Sequence, residues 1–63
     1  MKFVMIIKLD NADFRDADDN FVGERELARI IRVSAAKIEE GMVVGTAKDT
    51  NGNTVGEFQI QTD

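Results

Sequence analysis

The sequence predicts an α+β domain of order β-α-β-β, a three-stranded sheet with one helix packed on one face. Three observations carry this. Phe3 to Ile7 form an apolar run without a polar break. Residues 23–40 repeat apolar side chains at helical spacing. Two short strand-like segments follow, separated by a turn centred on Asn51-Gly52.

Residues 3–9 read as the first strand. Phe3, Met5, Ile7 and Leu9 alternate with Val4, Ile6 and Lys8, so the two sets point to opposite faces. The first set is larger and is expected to face the helix. A strand with one wet face alternates apolar and polar residues, and this one does not. Both of its faces are therefore expected to meet something dry. One helix covers one face of a small sheet, which leaves the other for a second copy of the chain or another partner.

Residues 10–22 read as an acidic loop. Asp10, Asn11, Asp13, Asp16, Asp18, Asp19 and Asn20 favour turns and caps. Phe14 and Phe21 within it either fold back over the core or anchor a partner. The helix spans 23–40, with Leu27, Ile30, Ile31, Ser34 and Ile38 on one side. Asp18, Asp19 or Asn20 is expected to cap its start. Gly41 suits a left-handed stop. Segments 42–48 and 54–61 form a hairpin, because Asn-Gly supplies the positive φ that tight turns require. In the last strand Phe58 and Ile60 share one face, and Val55, Glu57, Gln59 and Gln61 the other. A parallel return from the first strand requires a crossover, which the helix supplies.

All 63 residues make a single domain, close to the lower limit for independent folding. Folding removes about 6,000 Å² from water, and burial of its apolar share contributes roughly 90 kcal/mol. Ordering the chain costs about 95 kcal/mol. Chains this short usually add disulfides, a metal or a partner chain. Cys and His are both absent, which excludes disulfides and argues against zinc. Association is the remaining route. The net charge of −4 argues against duplex nucleic acid as a partner. The N-terminal apolar run is too short to cross a bilayer, and without a small-residue cleavage site it does not read as a signal peptide.

Catalytic chemistry finds little support. Cys, His, Tyr and Trp are missing, and the one serine, Ser34, sits within the apolar helix face. No spacing pairs two carboxylates in an apolar pocket, as acid–base tuning requires. The chain is therefore read as no enzyme, with no cofactor. Asp16, Asp18 and Asn20 have the spacing that opens an EF-hand loop. Phe21 then stands where the glycine is needed and Leu27 where the bidentate Glu is needed. No metal site is assigned.

Arg25, Arg29 and Arg32 stack on one stripe of the helix, opposite Leu27, Ser34 and Ile38. Three of the eight basic residues thus gather on one face of an acidic protein, and only Glu26 is placed to pair within the helix, with Arg29. The stripe is either a solvated face neutralised by loop aspartates or a docking site for an anion or a protein, since guanidinium forks suit carboxylate and phosphate. Val4, Ile6, Val33 and Val55 are the expected oligomer interface.

The chain resembles a group of short uncharacterised proteins of bacteriophages and prophages. The residues that carry this are Glu26-Leu27-Ala28-Arg29-Ile30-Ile31-Arg32 and Lys37-Ile38-Glu39-Glu40-Gly41, then Gly45, Asp49, Asn51-Gly52-Asn53 and Val55-Gly56-Glu57-Phe58. The acidic loop departs from the group. The resemblance implies a protein of the infected host's cytoplasm. It implies action by stoichiometric binding, such as occupying a host protein or sequestering a small anionic nucleotide to counter defence. Two alternatives stand beside this. One is an acidic mimic of nucleic acid that blocks a DNA-binding protein; the other is a structural or assembly component.

Overall fold

A computed structural model describes residues 1–62; Asp63, the last residue of the expected domain, lies outside them. The elements are β1 (Lys2–Ile7), α1 (Glu24–Glu39), β2 (Val44–Lys48) and β3 (Thr54–Gln61). The strands form one sheet in the order β1-β3-β2, with β3 antiparallel to both neighbours. β1 and β2 therefore run parallel, as the helical crossover requires, but β3 is inserted between them. The small α+β architecture is the one the sequence predicts.

Register assigns the two faces. Directly opposed residues of antiparallel strands point the same way. The rows Met5–Phe58–Gly45 and Ile7–Gly56–Ala47 face α1, and the rows Val4–Gln59–Val44 and Ile6–Glu57–Thr46 face away. Two glycines in the inner rows allow close approach. A Cβ on Gly56 would collide with the backbone of Ile6 and Ile7, and one on Gly45 would lie 2.5 Å from the Phe58 ring.

Val55 departs from expectation. Ala47 pairs with Gly56 but Lys48 pairs with Thr54, so Val55 is the extra residue of a β-bulge. A bulge re-aims its side chain. Val55 joins the core with Phe14, Ile30 and Ala47 and is only 7% exposed. It is therefore not part of the outer face on which strict alternation placed it.

The helix stop is a Schellman motif. Gly41 adopts φ 103°, its N–H donates to Ile38, and the Met42 N–H donates to Lys37, as such a stop requires. The start differs from expectation. Gly23 is the N-cap and no side chain caps the helix. The cause is close packing, because a Cβ on Gly23 would lie 2.5 Å from the Phe14 ring and 2.8 Å from the Phe14 Cα. The chain enters the helix against Phe14, where a capping side chain has no room. The aspartates upstream close a turn instead: the Asp16 carboxylate accepts from the N–H groups of Asp18 and Asn20.

The acidic loop is itself a small folded unit. Arg15 and Phe21 form an isolated bridge, and Val22 N–H donates to Phe14 O at 2.8 Å. Arg15 Nε ties the loop to Leu9 O at 3.0 Å. Phe14 is 0% exposed and Phe21 packs half-buried beside it, so both fold back over the core. α1 rests over β2. Phe3, expected beneath the helix, is instead 50% exposed, its ring 6.2 Å from that of Phe58. Ile31, expected on the buried side, is also exposed.

Candidate interaction surfaces

Arg25, Arg29 and Arg32 share one side of α1 but not one environment. Arg29 Nε and Nη2 grip the Glu26 carboxylate at 2.7 and 3.0 Å, and Nη2 also donates to Lys48 O at 3.2 Å. Glu26 in turn accepts from Thr50 N–H at 2.7 Å and Thr50 Oγ1 at 2.8 Å. Arg29 therefore locks the helix to the β2–β3 turn and is no free anion contact. Its guanidinium, with the Thr50 donors, holds the Glu26 carboxyl down at about 2. Arg25 and Arg32 are exposed and make no side-chain hydrogen bond or ion pair among the described residues. They remain the candidate anion contacts.

The β2–β3 turn carries a polar cluster that sequence reasoning reduced to turn geometry. Asp49 is 4% exposed. Its carboxylate accepts from Asn51 N–H, Asn53 N–H, Asn53 Nδ2 and, across the chain, Asn11 Nδ2 at 3.0 Å. Burial raises the Asp49 pKa, but these donors and the neighbouring Asp13 outweigh it and hold the carboxyl below its ordinary value. Asp13 receives Asn51 Nδ2 at 3.3 Å. Its own carboxyl is pushed up, first by hydrogen bonding with Asp49, then by partial burial and by the charges of Asp49 and Glu26. The result is a latch between the acidic loop and the turn. Two Asn–Asp contacts between segments nearly forty residues apart leave no local signal in a sequence. Asp13, Glu26 and Asp49 are not arranged to hold a metal ion: no group of three or more such ligands among the described residues is.

The remaining candidate surface is apolar. Among the described residues nine large hydrophobic side chains are exposed, against five hydrophobic residues fully in the core. Ile6 (55%) and Val44 (61%) project from the uncovered sheet face, with Val4 half-buried beside them. Val33 is exposed on α1, beside a cleft shared with Arg29, Lys37 and Lys48. Of the four expected interface residues, Val4 and Ile6 share one face, Val33 lies on the other side of the sheet, and Val55 is core.

Shape agrees with this exposure. The chain has a radius of gyration of 12.7 Å, where about 10.6 Å is expected of a compact domain this long. Its accessible area is 4585 Å², against about 4,000 Å² from size scaling. The cleft between α1 and β2 encloses about 140 Å³ and a groove along Ile6, Lys8 and Glu57 about 270 Å³. Both are smaller than the roughly 300–1,000 Å³ of small-molecule sites. No helix among the described residues is long and apolar enough to cross a membrane. Comparison with known protein families, with curated proteins and with solved structures finds no match.

Proposed function

We propose that this chain is a non-enzymatic binding protein that works as a homo-oligomer and engages an acidic surface on another protein through Arg25 and Arg32. The observation that carries the reading is the imbalance between apolar side chains left exposed and those buried, in a chain whose lone-copy stability is marginal by size alone. Exposed apolar side chains that gather into a patch mark an interaction site; Met42, Val43 and Val44 are consecutive and all exposed. Arg25 and Arg32 supply charge specificity, as two exposed guanidinium groups without partners among the described residues of an acidic chain. The small clefts favour a protein surface as ligand over an enclosed nucleotide; a small anion needs arginines from two copies to surround it.

The resemblance to short phage proteins supplies the setting, a host cytoplasm in which stoichiometric occupation of a host protein is useful. The nucleic-acid-mimic alternative draws on the acidic loop. Asp13 and Asp16 there are engaged in the chain's own turns and latch, which favours the arginine surface instead.

The test is native mass spectrometry of the protein purified from infected cells, with and without Arg25→Gln combined with Arg32→Gln. The proposal expects a multiple of the chain mass carrying a retained partner. It expects that partner to be lost in the double variant, whose far-UV circular dichroism is unchanged. Retention of the partner by the double variant rules out the arginine contact.

A further inference from the structure

The two edges of the sheet are treated differently. Lys8 N–H donates to Val55 O at 2.8 Å, so even-numbered residues of β1 bond to β3. Antiparallel ladders alternate, so Phe3, Met5 and Ile7 turn their N–H and C=O groups to the open edge. Ile60 N–H donates to Val43 O at 2.8 Å, so Val44, Thr46 and Lys48 face the opposite edge. There the helix intervenes. Lys37 Nζ donates to Thr46 O and Arg29 Nη2 to Lys48 O, each at 3.2 Å. Two of the three outward carbonyls of β2 are thereby occupied by cationic side chains, and Glu26 fixes one of those cations in place.

β1 has no such guard. No hydrogen bond from the described residues reaches the outward groups of Phe3, Met5 or Ile7. The run Phe3 to Ile7 has no charge and no proline, and it pairs with β3 in unbroken register. Natural proteins blunt open edges with charges, prolines, bulges or covering elements; β2 is blunted along its length, and β1 only by the lysines that flank the run, Lys2 and Lys8.

We propose that β1 pairs antiparallel with β1 of a second copy about a twofold axis at Met5, giving one continuous six-stranded sheet. This rests on the reading of the chain as a self-assembling protein and names the surface it uses. The strand is complementary to itself in this register. Phe3 meets Ile7 of the second copy and Met5 meets Met5, and each such pairing exchanges two hydrogen bonds. Side chains match as well. On the inner face the half-exposed Phe3 lies opposite Ile7; on the outer face Val4 lies opposite Ile6. A foreign peptide carries no requirement for this symmetry, which is why a second copy is the occupant chosen. The register also sets Lys2 opposite Lys8 of the second copy. Like charges directly opposed disfavour pairing, and salt screens them. Association therefore tightens as salt rises.

The experiment combines sedimentation velocity with site-resolved amide exchange, on the wild-type chain and two variants. In wild type the amides of Phe3, Met5 and Ile7 are protected at concentrations where the dimer forms and exchange freely on dilution. Met5→Pro removes an outward N–H and no ladder bond, a place where an edge strand accepts proline; it leaves a folded single chain. Ile6→Lys, at an exposed position, raises the dissociation constant by about tenfold or more, the scale of a central interface residue. If Met5→Pro prevents folding, Ile6→Lys and the wild-type amide pattern decide. A wild-type oligomer whose Phe3, Met5 and Ile7 amides stay unprotected, or whose affinity ignores Ile6→Lys, overturns pairing at β1 and leaves self-assembly standing. A wild-type chain that sediments singly overturns both.

Discussion

The end of the molecule that holds the β2–β3 turn and the end where β1 and β2 begin use the same sheet to different purpose. At the turn end Phe14, Ile30, Ala47 and Val55 are buried, Gly23 is pressed against Phe14, and the Asp49 and Glu26 carboxylates are saturated with donors. At the other end Phe3, Met42, Val43 and Val44 stand exposed. The difference separates residues that hold one copy together from residues left available to others. The two edges repeat it: helical cations occupy the β2 edge, while among the described residues no hydrogen bond reaches the outward groups of Phe3, Met5 and Ile7 on the β1 edge.

Substitutions in the two regions should therefore differ in kind. The largest effect is expected for Phe14→Ala, which empties the core; losses of about 3–5 kcal/mol are typical of such truncations. In a domain this small that leaves little folded protein, as thermal unfolding followed by circular dichroism will show. A loss below about 1 kcal/mol would mean that the turn end is not the core. Gly23→Ala should cost about 1–3 kcal/mol by overpacking against Phe14, although alanine is the better helix former. A stabilised Gly23→Ala protein would show that Phe14 yields easily. Val44→Thr at the open end, away from β1, should change stability by less than about 0.5 kcal/mol.

Acid sharpens the comparison further, because the titrating network lies at the turn end. Glu26, Asp16 and Asp49 hold protons less tightly folded than unfolded. Their stabilisation is present above the ordinary carboxylate range and is lost as pH falls through it, for Glu26 toward about 2. Asp13 has the opposite sign: its raised pKa favours the folded state below the ordinary value and costs stability above it. Denaturation across pH should thus show stability falling on acidification, and Glu26→Gln should flatten that fall. Asp13→Asn should give the smallest effect, a modest gain near neutrality that disappears in acid. Equal effects at both pH values would show that Asp13 and Asp49 do not interact.

How far the sequence could be read follows the same division. Apolar periodicity located α1 to within a residue at each end, and Asn51-Gly52 located the hairpin, because both signals are local. Gly56, beside Val55, is a residue type that marks a bulge or a close backbone approach, but that Val55 is the extra residue depends on pairing with β2. The cap was misplaced because Gly23 is required by its contact with Phe14, nine residues earlier, and not by its own backbone angles. Arg29 was legible as a partner of Glu26. Its reach to Lys48 O, like that of Lys37 to Thr46 O, depends on how helix and sheet are placed. The unbroken run Phe3–Ile7 marked an apolar strand, and in the single chain its Phe3 and Ile6 stand exposed.

Self-association is the premise on which the functional reading depends, and sedimentation equilibrium at low micromolar concentration measures it directly. A mass at least double the 7.0 kDa of one chain, rising with added salt, is the predicted result. A stably folded species at the mass of a single chain contradicts it.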